Sequence, residues 1–170
     1  MTNTQLEKLI INVEDFPIKG ISFKDISGIL RNPKAMKYIT KQFAEQVKDA
    51  DLIVGPDARG FIFGVPLAMA ADKPFIMVRK PGKLPGEVIK FEYDLEYGTN
   101  TLEILKSSIK PGQKVAIVDD LLATGGTVEA IVKLVKSLGA EVIKTLFVIE
   151  LEFLKGAKKI NNNVFSLVKY

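Results

Sequence analysis

The sequence predicts an α/β fold, a central and mostly parallel sheet flanked by helices. Short β-branched apolar runs recur along the chain, and segments of helical period lie between them. The runs are Leu52-Ile53-Val54, Phe75-Ile76-Met77-Val78, Val115-Ala116-Ile117-Val118 and the longer stretch 142–151. They carry the Val and Ile richness of strands buried on both faces. The helical stretches are 35–47, 61–70, 102–109 and 128–138. In the last, Val128, Ile131, Val132, Val135 and Leu138 form a single apolar stripe. Residues 1–13 show a short helical pattern. The segment that follows, with Phe16-Pro17 and Lys19-Gly20, is long and irregular, suited to a flap over the ligand edge of the sheet.

A chain of 170 residues, 47% apolar and 26% charged, suits one domain spanning 1–170. We divide it into an N-terminal hood of about 1–32 and a core of about 33–170, with a lid near 80–98. The longest apolar neighbourhood, 61–71, is broken by Gly64 and Pro66. It falls short of the roughly 20 residues a membrane span needs, and the opening residues lack the layout of a secretory signal, so the expected location is cytoplasmic.

The chain has no Cys and no His. That excludes disulfides, thiolate metal sites and imidazole acid–base chemistry, and leaves carboxylates, cations, hydroxyls and backbone amides. The net charge of +4 suits an anionic partner, but the Lys residues are spread along the chain, as fits a small phosphorylated ligand as well as a nucleic acid.

The most informative stretch runs from Val115 to Thr127: a buried strand, Asp119-Asp120, a small-residue loop and a helix start. Ala123, Thr124, Gly125, Gly126 and Thr127 lack bulk, so backbone amides can close on a phosphate at the positive end of the helix dipole, with the two Thr hydroxyls as further donors. Asp119 and Asp120 would repel that phosphate. They can instead accept from ribose hydroxyls or meet a hydrated Mg²⁺ that arrives with the ligand. Taken alone, the stretch also reads as an acidic turn followed by a capped helix. It lacks both the Gly-Lys-Ser/Thr end of a P-loop and the GxGxxG of a dinucleotide fold.

Val115 to Thr127 resembles the phosphoribosyl pyrophosphate signature of the type I phosphoribosyltransferases. Further stretches resemble the adenine-using members of that family: Asp15-Phe16-Pro17 with Gly20 and Phe23-Lys24-Asp25-Ile26, 55–64, 79–86 and 95–99. The resemblance runs from about residue 13 to the end, and it implies a pentosyltransferase of purine salvage. Adenine and phosphoribosyl pyrophosphate would give AMP and diphosphate, with Mg²⁺ as the cofactor carried by the diphosphate and water-bridged to Asp119 or Asp120. It also implies a homodimer, and neither a nucleic acid nor a membrane as partner.

The resemblance assigns roles residue by residue. Phe23 would stack on adenine, with the backbone around Ser22 and Lys24 at the purine edge; Lys24 stands where Arg is expected. Arg59, Arg79 and Lys83 would meet the pyrophosphate, for which forked or point cations are suited. Glu96 would take the purine proton as catalytic base, beside Arg59 and Lys83 as the other catalytic residues. Taken alone, Phe23 reads as a core aromatic, Arg59 as half of a structural ion pair, Lys83 as a solvated loop residue and Glu96 as a positioning carboxylate. The alternating run Val88 to Tyr93 reads as part of a mobile two-stranded flap that excludes water.

The rivals are an oxopurine phosphoribosyltransferase, against which 95–98 argues, and a non-catalytic regulator. A regulator of that kind would usually carry an added DNA-binding domain, for which 170 residues leave no room.

Overall fold

The structure is a computed structural model and describes residues 1–94, 99–160 and 163–170. In chain order, the hood holds α1 (Asn3–Glu7), β1 (Ile11–Val13), β2 (Phe23–Asp25) and α2 (Ser27–Leu30). The core follows with α3 (Pro33–Gln46), β3 (Leu52–Pro56), α4 (Arg59–Ala71) and β4 (Phe75–Val78). A hairpin follows, β5 (Val88–Asp94) and β6 (Thr99–Leu105). The chain closes with β7 (Lys114–Leu122), α5 (Gly126–Ser137), β8 (Glu141–Glu150), α6 (Gly156–Ile160) and β9 (Val164–Lys169).

The central sheet has five strands in the order β4-β3-β7-β8-β9, and every pairing is parallel. Strand alternation divides its side chains between two cores. Ile53, Ala116, Val118, Leu146 and Val148 face the side covered by α3, α4 and the hood. Leu52, Val54, Val115, Ile117 and Phe147 face α5 and the β5–β6 hairpin. Both faces are buried, which is why these strands read as continuous apolar runs.

From β3 the chain moves outward through α4 to β4, then returns to place β7, β8 and β9 on the other side of β3. The order therefore reverses between β3 and β7. The crevice beyond their carboxyl ends is where open parallel sheets place ligands.

Local chemistry sets several boundaries. Asn32 caps α3, its side chain accepting from the Lys34 and Ala35 amides at 3.1 and 3.2 Å, and Pro33 occupies the first turn. Gly125, at φ 83°, takes the left-handed conformation that turns β7's loop into α5.

Two expectations are corrected. Residues 102–109 do not form a helix: 99–105 are β6, paired antiparallel with β5 from Val88↔Leu105 to Asp94↔Thr99. A partner strand outweighs the local helical spacing, as tertiary context does for short apolar runs. At the N-terminus the helix stops at Glu7, and Ile11–Val13 pairs with Phe23–Asp25, so the hood carries a two-stranded sheet where an irregular flap was expected.

Phe147 is fully buried in β8 at the centre of the second core. Phe147→Ala is expected to lower unfolding stability by about 3–5 kcal/mol through lost burial and the cavity left behind. Equilibrium denaturation in urea measures this.

Candidate active site

The carboxyl ends of β3 and β7 bring the sequence's candidate residues together. Asp119 and Asp120 lie near the end of β7, and the small-residue loop leads from there into α5. Arg59 is the first residue of α4, directly beyond β3. Because β3 and β7 are neighbours in register, the Arg59 guanidinium reaches across to the buried Asp120 carboxylate and forms an ion pair. Arg59 also donates to the Lys24 carbonyl at 3.4 Å, and its guanidinium carbon lies 5.2 Å from the Phe23 ring centroid. Its Nε is buried and has no hydrogen-bond partner among the described residues. One side chain thus joins the acids of the core to the strand of the hood.

Burial, and after it the neighbouring Asp120 charge, push the Asp119 carboxyl well above the usual carboxylate range. Its Oδ1 accepts the Asp120 amide at 2.8 Å. Two adjacent acids with one guanidinium between them therefore hold less negative charge than their count suggests. Among the described residues no group of three or more His, Cys, Asp or Glu is placed to cage a metal. The donor set at β7 is a carboxylate pair, which fits a hydrated Mg²⁺ arriving on a ligand.

The phosphate-type loop is held from behind by a residue that sequence reasoning missed. Gly156, at the start of α6, packs so closely that a Cβ there would run into the Ala123 carbonyl oxygen and lie 3.0 Å from the Gly125 nitrogen. Reciprocally, a Cβ on Gly125 would lie 2.8 Å from the Gly156 carbonyl oxygen. Nothing near Gly156 in sequence signals this, because the contact spans some thirty positions. In front of the loop, the Tyr93 hydroxyl of β5 lies 3.3 Å from Thr127 Oγ1, so the hairpin covers the start of α5. Thr124 is exposed, Gly125 is buried, and Ala123, Gly126 and Thr127 are half-buried.

Arg79 follows β4 and is fixed by partners that were also missed. It donates from Nε to Asp57 Oδ2 at 2.9 Å and from Nη1 to the Lys83 carbonyl at 3.3 Å. Its backbone bridges Glu103 of β6. Glu103, almost fully buried, accepts from the Gly82 amide at 3.0 Å and pairs with Lys90 at 2.9 Å, and the Lys90 hydrogen bond is the main cause holding its carboxyl below the ordinary range. A buried acid inside an apolar strand was the available signal. Lys83 itself is exposed on this anchored loop, and among the described residues its side chain forms no ion pair.

In the hood, Phe23 is half-buried with its ring edge-on to Phe16 at 5.2 Å, and the exposed Ser22 donates to Glu14 at 2.9 Å. Glu96 lies outside the described residues.

The sequence matches the family described as phosphoribosyl transferase domain over residues 25–169. An adenine phosphoribosyltransferase of Mycoplasma mobile is 58% identical over 166 residues, covering 98% of this chain and 97% of that protein. Among solved structures, the adenine phosphoribosyltransferase of Thermoanaerobacter pseudethanolicus superposes with a TM-score of 0.96 at 49% identity, covering 99% of this chain and all of that one. The Saccharomyces cerevisiae enzyme, complexed with an imino-altritol bisphosphate and adenine, gives 0.93 at 42% identity, with 97% of each chain covered.

Two outcomes follow from the geometry. Gly156→Ala should weaken binding of a ribose 5-phosphate ligand about ten-fold by displacing the loop, as titration calorimetry with AMP would read. The raised Asp119 carboxyl contributes stability that is fully present below the ordinary carboxylate value and is lost as pH rises through its folded value. Asp119→Asn should remove that slope, so thermal scans between pH 4 and 8 should show wild type losing ground to the variant as pH rises.

Proposed function

Since this chain belongs to the phosphoribosyl transferase family, we propose that it works as an adenine phosphoribosyltransferase, a pentosyltransferase that converts adenine and phosphoribosyl pyrophosphate into AMP and diphosphate. The observation that carries the reading is Arg59, which touches Phe23 and Lys24 of the hood and Asp120 of the core at once. A base held by the hood and a sugar held at β7 would meet at that point.

In this reading the small-residue loop and the α5 amides hold the 5′-phosphate, and Asp119 and Asp120 hold the ribose. The C1–oxygen bond to diphosphate breaks as the bond from adenine N9 to C1 forms, and the purine proton passes to Glu96. Positive charge develops on the ribose near the two acids. Negative charge develops on the diphosphate, where Arg59, Arg79 and Lys83 supply cations. Mg²⁺ carried by the diphosphate, with Asp119 or Asp120 reaching it through water, would neutralise the leaving group. Phe23 stacks on adenine, and the backbone of Ser22 and Lys24 meets its edge. The β5–β6 hairpin, already resting on Thr127 through Tyr93, is the lid that keeps water from the activated sugar.

A homodimer is proposed as the working form. Supporting it, Val65 and Met69 of α4 and Met77 of the edge strand β4 expose apolar side chains, Met69 by 78%. The proposed location is the cytoplasm, which suits a chain without Cys.

The assay is AMP formation from phosphoribosyl pyrophosphate with adenine, hypoxanthine or guanine, with Mg²⁺ or with chelator. Turnover is expected with adenine and Mg²⁺ alone, and Glu96→Gln should lower kcat at least about 100-fold. Turnover of an oxopurine would move the chain to a different substrate class. Donor binding without turnover of any base would make it a sensor.

A further inference from the structure

Phe23 and Lys24 are successive residues of β2, so their side chains leave opposite faces of the strand. Phe23 turns to Arg59 and the crevice. Lys24 turns to the rear and is 8% exposed, rare for a lysine. Its ammonium donates to Asn12 Oδ1 at 2.7 Å, its directly paired neighbour on β1, and sits 3.7 Å from the centroid of the Tyr170 ring. Among the described residues no carboxylate forms an ion pair with it. A buried ammonium is costly unless partners replace its water, and here one amide oxygen and one aromatic face do so.

The ring is itself held rigidly. Tyr170 follows β9, its amide donates to the Glu150 carbonyl at 2.9 Å, and its carbonyl accepts from the Glu152 amide at 2.9 Å. Both bonds tie it to the carboxyl end of β8, the same edge of the sheet as the crevice. β2's partner strand is the three-residue β1, whose residues are all exposed, and β2's other neighbour along the chain is Ile26, buried in the first core. Lys24 is thus gripped at both ends, its carbonyl by Arg59 in front and its ammonium by Tyr170 behind.

We propose that Tyr170 is a positioning residue for the base: through Lys24 it fixes the height of β2 over the sheet, and so fixes where Phe23 and the Lys24 peptide meet adenine. The proposal rests on the hood being the base site. It bears on base binding more than on donor binding, because the clamp's side-chain contacts lie in the hood while Arg59 keeps its separate ion pair with Asp120.

The test is steady-state kinetics and thermal unfolding of Tyr170→Leu, Tyr170→Phe and Phe23→Ala. Tyr170→Leu should raise the KM for adenine about five-fold, the scale of a lost buried cation–ring contact, with the KM for phosphoribosyl pyrophosphate unchanged. Tyr170→Phe keeps the ring and should match wild type. In a Lys24→Met background, Tyr170→Leu should add no further loss. The clamp is overturned if both KM values rise together, if Tyr170→Phe is as impaired as Tyr170→Leu, or if Tyr170→Leu lowers only the melting temperature. If Phe23→Ala leaves the adenine KM unchanged, the base lies elsewhere and the proposal falls with that reading. If Phe23→Ala raises it and Tyr170→Leu does not, the base site stands and the clamp alone is wrong.

Discussion

The Arg59–Asp120 ion pair is the contact on which this arrangement turns. Taking the Asp120 carboxylate out of water is costly unless a partner and further hydrogen bonds make up the difference, and the half-exposed Arg59 guanidinium supplies that partner. Here the guanidinium also reaches the Lys24 carbonyl and the Phe23 ring, and the neighbouring Asp119 is driven toward its neutral form. The pair stands at the reversal of strand order, where β3 and β7 diverge in connection while remaining hydrogen-bonded neighbours. The hood's apolar residues Leu6, Ile10, Ile26 and Ile29 anchor it in the first core, and the charge at Arg59 adds a polar tie from that core to β2.

A second polar framework supports the edge of the site at one remove. Arg79 joins Asp57 of the β3 exit to the Lys83 loop, and buried Glu103 ties that loop and Lys90 to the hairpin. Arg79 and Glu103 each have an opposite charge at 2.9 Å, and the Gly82 amide adds a hydrogen bond to Glu103, so the loop and the hairpin are tied together. The exposed cation Lys83 is thereby carried on a fixed loop while its own side chain stays in solvent. Fixed backbone with a free cationic tip suits a group that has to meet an anion arriving from outside.

The Gly125–Gly156 approach shows a third constraint, one of space. The loop after β7 can expose its amides on one side only if something fills the other, and α6 does so at backbone distance. Side chains on either residue would separate the two segments. The small residues of the loop thus admit a neighbour behind at backbone distance, and the proposed phosphate would meet the amides left open in front.

The sequence by itself determined the parallel sheet, because strands buried on both faces must be apolar throughout, and it singled out 115–127 as the candidate anion site, because that chemistry needs small residues at a helix start. It also determined which residues had the right chemistry: Arg59, Arg79, Asp119 and Asp120 all stand at the carboxyl edge of the sheet. Tertiary structure decided what local pattern could not. Residues 99–105 are a strand because 88–94 lie beside them, and Ile11–Val13 are a strand because Phe23–Asp25 do. Asp57, Glu103, Gly156 and Tyr170 took their parts from partners far away in sequence, through ion pairs, a backbone approach and a ring over a buried ammonium. Such contacts leave no periodicity, since they depend on which surfaces the folded chain brings together and not on the spacing of residues along it.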